Sequence, residues 1–255
     1  MMNNIKDYLE ELVAKNNTEA FIKDDPVQFP HRYSDIHDVE IVSFLVATIA
    51  WGNRKMILNS ANRMLEVMGR SPYDYIMSEG FKTLEPDKCV HRTFFNRDLM
   101  YYCRGLKYLY EIPAGGRSNN SLENIFYNEE HDVWKGIQTF RDLISQANGC
   151  ASKHISNPCC DEPKKGSACK RLHMALRWLV RNDGIVDLGV WKRLQPKDLM
   201  IPLDVHVARV SRNLGLIDRK SNDRQTVELL TSRLREFDAE DPVKYDFALF
   251  GVELM

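Results

Sequence analysis

The segment DVEIVSFLVATIA, residues 38–50, constrains the fold more than any other part of the chain, because it is apolar on nearly every side. A helix of that kind has no face to give to water and belongs at the centre of a packed unit. Asp38 and Glu40 at its start suit the positive end of a helix. In HDVWKGIQTFRDLISQ, residues 131–146, Val133, Trp134, Ile137, Phe140, Leu143 and Ile144 recur at spacings of three and four, the stripe of a helix with one buried side. Similar patterns predict helices over 4–15, 54–68, 97–110, 169–181, 205–214 and 223–236. Strand alternation is almost absent, so the expected class is all-α.

Two stretches interrupt the helical pattern. EIPAGGRSNNS, residues 111–121, gathers proline, paired glycines and amide side chains, the composition of a turn. ANGCASKHISNPCCDEPKKGS, residues 147–167, has no periodicity, and a loop of that length inside a packed chain suggests a functional use. The expected organisation is one compact unit over 1–255, with a helical lobe over 37–155 and a second lobe formed by 1–36 and 156–255. With 44% hydrophobic residues, disorder is excluded as a general reading. No run reaches membrane-spanning length, and the start MMNNIKDYLEELVAKNN lacks an apolar targeting core, so a cytoplasmic protein without membrane partners is expected. The cysteines at 89, 103, 150, 159, 160 and 169 form no CxxC pair and are expected as reduced thiols.

Overall charge says little: 35 basic and 36 acidic residues leave a formal net of -1. Its distribution says more. Residues 161–220 hold 13 Lys and Arg against 7 Asp and Glu, a basic segment of the kind that suits a phosphate-bearing partner or simply a solvated helical face.

That segment contains the two most informative strings. In IPLDVHVARVSRNLGL, residues 201–216, Asp204 follows an apolar Pro-Leu step and precedes a helix closed by Gly215, which is the position of an N-cap. SACKRLHMALRWLVR, from Ser167 to Arg181, is a helix with Leu172, Ala175, Leu176 and Leu179 on one side and Lys170 in its first turns. Its opening amides, with Lys164, Lys165 and Arg171 nearby, would suit a phosphate. Trp178 and Trp191 read as core.

PLDVHVARVSRNLGL resembles the aspartate segment of the helix-hairpin-helix DNA glycosylases, a pattern close to P-x-D-x-H-V-x-R with a Leu-Gly close; Pro202, Asp204, His206, Val207, Arg209, Leu214 and Gly215 match it. Gly166-Ser-Ala-Cys-Lys170 resembles the G-x-x-x-K step of the bifunctional members, although their Leu-Pro-Gly-x-Gly hairpin core is replaced by EPKKGSACK with one glycine. EIVSFLVATIAWGNRKMI resembles the early helix and turn of these enzymes, with Gly52, Asn53 and Arg54 at the turn. With DPVQFPHRY and EDPVKYDFALFG, the chain is similar to a bacterial branch of the superfamily over almost its whole length. The 34 positions from Lys170 to Asp204 resemble the spacing of the archaeal 8-oxoguanine type. No cysteine follows Cys169, so the iron-sulfur loop of some relatives is not expected.

The resemblance implies a two-lobed helical fold that excises a damaged base, such as an oxidised one, from double-stranded DNA, with no cofactor and no metal. Breaking an N-glycosidic bond puts positive charge on the sugar, which a fixed carboxylate stabilises, the role implied for Asp204. An amine attacking C1′ displaces the base and leaves a Schiff base that permits strand cleavage, the role implied for Lys170. To attack, the amine must be neutral, a form favoured by burial or by a neighbouring cation such as Arg171. DNA contacts are expected from Lys164, Lys165, Gly166, Ser167, Arg171, His206 and Arg209, and from Asn53 and Arg54, which with Trp51 would wall the pocket or fill the gap left by the extruded base. A monomer is favoured.

Three other readings stay open. Asp204 serves as a helix cap alone and Lys170 as a solvated lysine; or the chain is a catalytically silent nucleic-acid-binding relative. The third is a metal phosphohydrolase of the His-Asp type, suggested by His37-Asp38, His131-Asp132 and the nearby His31.

Overall fold

The computed structural model describes residues 2–112 and 121–252, so most of the expected break at 111–121 lies outside the described residues. The protein is mostly helical. In chain order the α-helices are α1 (Met2–Asn16), α2 (Glu19–Asp24), α3 (Ile36–Ile49), α4 (Arg54–Met68), α5 (Pro72–Met77), α6 (Asn96–Glu111), α7 (Glu123–Phe126), α8 (Val133–Asn148), α9 (Lys170–Val180), α10 (Val205–Asn213), α11 (Arg224–Arg235) and α12 (Asp246–Gly251). Short 3-10 turns link several of them, and Cys89–His91 pairs antiparallel with Phe94–Phe95 in a small ribbon. Among the described residues no helix is long and apolar enough to cross a membrane. The chain divides into two units, one of residues 24–155 and one of 1–23 with 156–255.

In the 24–155 unit, α3 is the central helix that its sequence demands, buried from Asp38 to Ile49. Phe44 stacks against Phe126 and Phe140, with ring centroids 5.3 and 4.9 Å away, which ties α3 to α7 and α8. Gly105 lets α6 approach α8 closely, since a Cβ there would lie 2.6 Å from Ile144 Cγ2. The acids of α3 differ from expectation. Asp35 is the cap, accepting from the His37 and Asp38 amides at 2.9 and 3.3 Å. Asp38 instead accepts from the Tyr73 amide at 2.7 Å. Glu40 lies one turn too deep to serve the helix start and is fully buried. There it accepts from Tyr110 Oη at 2.9 Å, from the Ser121 hydroxyl and from the Leu122 amide.

In the other unit, α9 buries Leu172, Ala175, Leu176 and Leu179 as its stripe predicts, with Trp178 and, beyond the helix, Trp191 also in the core. It also buries two groups that the stripe does not announce, His173 and Arg177. The α1 and α12 helices pack together, with Asn16 donating to the Phe247 carbonyl at 3.2 Å and Gly251 facing the Asn16 amide too closely for any side chain. The α10 helix packs on α12 through the side that carries Val207, Ala208, Val210 and Ser211.

Candidate functional site

The basic segment is less of a surface feature than its composition suggests. Arg177 donates to Asp187 at 3.2 Å and to Asp246, while Arg181 pairs with Asp183, with Asp187 at 3.1 Å and with Asp241 at 2.8 Å. Both guanidinium groups are buried in this network, so their charge is spent inside. Arg212 holds the Arg219 and Lys220 carbonyls at 2.7 and 3.0 Å, and Arg219 pairs with Asp223 at 2.7 Å. Near the two informative strings Lys164, Lys165 and Arg209 are exposed, and Lys170 and Arg171 are half-buried.

The turn that leads into α9 departs from a two-helix hairpin. Residues 149–162 contain no helix, and Pro163–Lys165 is a single 3-10 turn. Gly166 is buried, its N–H donating to the Pro163 carbonyl and its own carbonyl accepting from the Arg224 amide, both at 3.0 Å. With both backbone groups used internally, Gly166 has nothing left for a phosphate, contrary to expectation. It is glycine because a Cβ would run into the Pro158 carbonyl and lie 2.9 Å from Arg224 Cδ. Ser167 is exposed, with its amide donating to the Asn157 carbonyl at 2.9 Å. Cys169 then adopts φ +46°, a left-handed conformation costly for a residue with a side chain, and α9 begins at Lys170 with no side-chain cap.

Lys170 and Asp204 come together. Asp204 caps α10 with Oδ1, which accepts from the His206 and Val207 amides at 2.9 Å each. That leaves Oδ2 facing Lys170 Nζ at 3.9 Å. Both side chains are about one quarter exposed, 26% and 23%, so the pair is open to a ligand yet partly withdrawn from water. Capping therefore accounts for one oxygen of Asp204 and not for the other. Val205, His206 and Arg209 form the outward face of α10 beside the pair, and Val205 is 70% exposed, unusual for an aliphatic side chain at a helix start.

A third acid, which sequence reading missed, lies behind the pair. Asp246, the first residue of α12, is buried against Arg177. Burial pushes its carboxyl up to about 6; Arg177 opposes this, Asp204 adds to it and Lys170 opposes it. The shift is large because the nearby cations do not offset the loss of water around the carboxylate. The available signal was an acid inside the apolar run YDFALFG. Nearby in α9, burial and then Arg224 hold His173 down to about 3, so it is neutral at ordinary pH.

Asn53 and Arg54 belong to the 24–155 unit. Asn53 caps α4, accepting from the Met56 amide at 3.2 Å, and Arg54 is the first helical residue. Trp51 is half-exposed just before them, and its carbonyl faces His91 Nε2 at 2.9 Å. The His-Asp pairs have structural duties instead: Asp38 binds the Tyr73 amide, and Asp132 caps α8. Among the described residues no three His, Cys, Asp or Glu side chains gather as a metal would require. All six cysteines are free thiols.

The family described as Protein of unknown function (DUF2400) matches residues 25–255, and the chain belongs to it. No curated protein and no solved structure matches the chain.

Proposed function

We propose that the protein is a DNA glycosylase of the helix-hairpin-helix type, with its two units as the two lobes of that fold, acting on a damaged base in duplex DNA inside the cell. The observation that carries the reading is the ion pair between Lys170 and Asp204, two residues reached independently from two resembling motifs and lying 34 positions apart in sequence. Asp204 Oδ2 stabilises positive charge at C1′, and the Lys170 amine attacks that carbon. The uncapped start of α9 and the cations Lys164, Lys165, Arg171 and Arg209 serve the phosphates on either side.

The test is a panel of duplexes carrying one lesion each, incubated with borohydride. Base release together with a trapped adduct that disappears in Lys170→Ala supports the full reading. Base release without an adduct leaves a glycosylase in which Asp204 directs water. Tight duplex binding with neither outcome selects the silent DNA-binding relative, in which Asp204 persists as a cap.

A further inference from the structure

We propose that Asp246 is the proton acceptor for Lys170, a third functional residue of this site; the inference rests on the reading of Lys170 as nucleophile. It starts from the face of α9. Lys170, Met174 and Arg177 are spaced four and then three residues apart, which places them on one side of the helix. Lys170 Nζ rests 3.6 Å from Met174 Sδ, and Arg177 at the far end of the row holds Asp246 by its Oδ2. The α12 helix that carries Asp246 packs on α10, whose first turn is capped by Asp204. The acid thus stands where the face of α9 meets α10.

Two features suit Asp246 to taking a proton rather than only neutralising Arg177. Arg177 engages it through Oδ2, which leaves Oδ1 outside that ion pair. Arg177 already has a second carboxylate, Asp187, at 3.2 Å. The charged groups that bear on Asp246 are Arg177 and Lys170 from α9, Asp204 from the start of α10, and Asp187. From α1, the Asn16 amide binds the Phe247 carbonyl and Glu10 meets Tyr245 Oη at 2.6 Å and Lys244 Nζ at 3.0 Å, in the turn before α12. The raised proton affinity of Asp246 fits an acceptor that works near neutral pH.

A lysine side chain is ordinarily an ammonium near neutral pH, so a proton must leave before the amine can attack. Asp246 takes that proton, directly when Lys170 swings from Asp204 or through one water. With an abasic-site aldehyde, the freed amine adds to C1′ and the carbonyl oxygen becomes a hydroxyl, taking its proton from the nitrogen. The C1′–O bond then breaks, the hydroxyl leaves as water with the proton returned by Asp246, and a protonated Schiff base remains.

The probe is a duplex with one abasic site, which needs no knowledge of the lesion. Single-turnover trapping with borohydride is followed from pH 5 to about pH 9, alongside duplex affinity. In the wild type the rate falls on the acid side through an ionisation near 6. Asp246→Asn keeps an oxygen for Arg177, traps about 100-fold more slowly and loses that ionisation, while duplex affinity is unchanged. Asp246→Glu retains an ionisation, displaced from the wild-type position, and serves as the test if the Asn variant does not fold. An Asn variant with the wild-type rate and profile, or a Glu profile superimposed on the wild type, overturns the proposal alone. Absence of a wild-type adduct, or an adduct that persists in Lys170→Ala, overturns the nucleophile reading and this proposal with it.

Discussion

Each unit buries a carboxylate inside an apolar helix, and the two are treated in opposite ways. Glu40 in α3 accepts two hydrogen bonds on each oxygen, from Tyr110 and the Leu122 amide on one and from Ser121 and the same amide on the other. These donors are neutral and engage both oxygens. Asp246 in α12 is held through its Oδ2 by a cation, Arg177. A buried acid that is saturated by fixed donors works as an anchor, because every partner loses its bond if the acid leaves. One held by charge alone pays for burial with a raised proton affinity, and that is a chemical property.

The largest expected effect tests the intermediate case, Asp204, which has one oxygen in each role. Asp204→Asn keeps an acceptor for the His206 and Val207 amides, so stability should move by less than about 0.5 kcal/mol in urea unfolding. The charge facing Lys170 is lost, and single-lesion cleavage should fall by about 100-fold to 1,000-fold. Full activity in this variant would reduce Asp204 to a cap.

Glu40 should show the reverse pattern. Glu40→Ala strands the Tyr110 and Ser121 hydroxyls and the Leu122 amide in a buried site, at about 1–3 kcal/mol for each donor. A loss of about 3 kcal/mol or more is expected in the urea midpoint, with duplex affinity tracking only the folded fraction. Glu40→Gln, which keeps one acceptor, should cost less. An alanine variant within about 1 kcal/mol of the wild type would remove the anchor from the comparison.

The two acids also show where sequence reading works and where it stops. Helix limits follow from local chemistry: the stripe of 54–68 and the cap at Asn53 are both in the string, and α4 has those limits. Trp178 and Trp191 fall in the core for the same reason. Asp204 was legible as a cap because capping is a two-residue interaction. Asp246 was not, since Arg177 is 69 positions away and no local pattern encodes the meeting. Glu40 was placed at the helix start because an acid near an N-terminus is the commoner case, whereas its partners are 70 and more positions away. The basic segment misled in the same manner: composition counts Arg177 and Arg181 with Lys164, and only packing separates spent charge from available charge.

Acid titration separates two buried groups of the second unit, Asp246 and His173, by sign. Asp246 has its folded pKa raised to about 6, so the stability it contributes is present below its ordinary value near 4 and is lost as pH rises through about 6. His173 has its pKa lowered to about 3, so its contribution is present above about 6.5 and is lost as pH falls. Between about pH 4 and 6 the two run in opposite directions, each by up to about 1.4 kcal/mol per pH unit. Chemical denaturation at pH 7 and pH 4.5 should therefore show Asp246→Asn losing about 2 kcal/mol more than the wild type on acidification, and His173→Gln losing about 2 kcal/mol less. If the Asp246 variant follows the wild-type curve, Asp246 is as saturated as Glu40.

The smallest effect on stability extends the comparison to cations. Arg177 resembles Glu40 in having its charge used inside, whereas Lys164 makes no ion pair among the described residues and Lys165 has only Glu162, at 2.5 Å on the surface. Reversing both lysines in Lys164→Glu with Lys165→Glu should shift the unfolding midpoint by no more than about 0.5 kcal/mol. Duplex affinity should fall for every sequence alike, because phosphate contacts carry no base information. Each lost phosphate contact removes about 0.9 from the slope of log affinity against log salt, so the double variant should flatten that slope by about 2. The measurement is an affinity series over salt for an undamaged duplex and an abasic one, which should move in parallel. An unchanged slope would mean that the turn before α9 does not face the duplex.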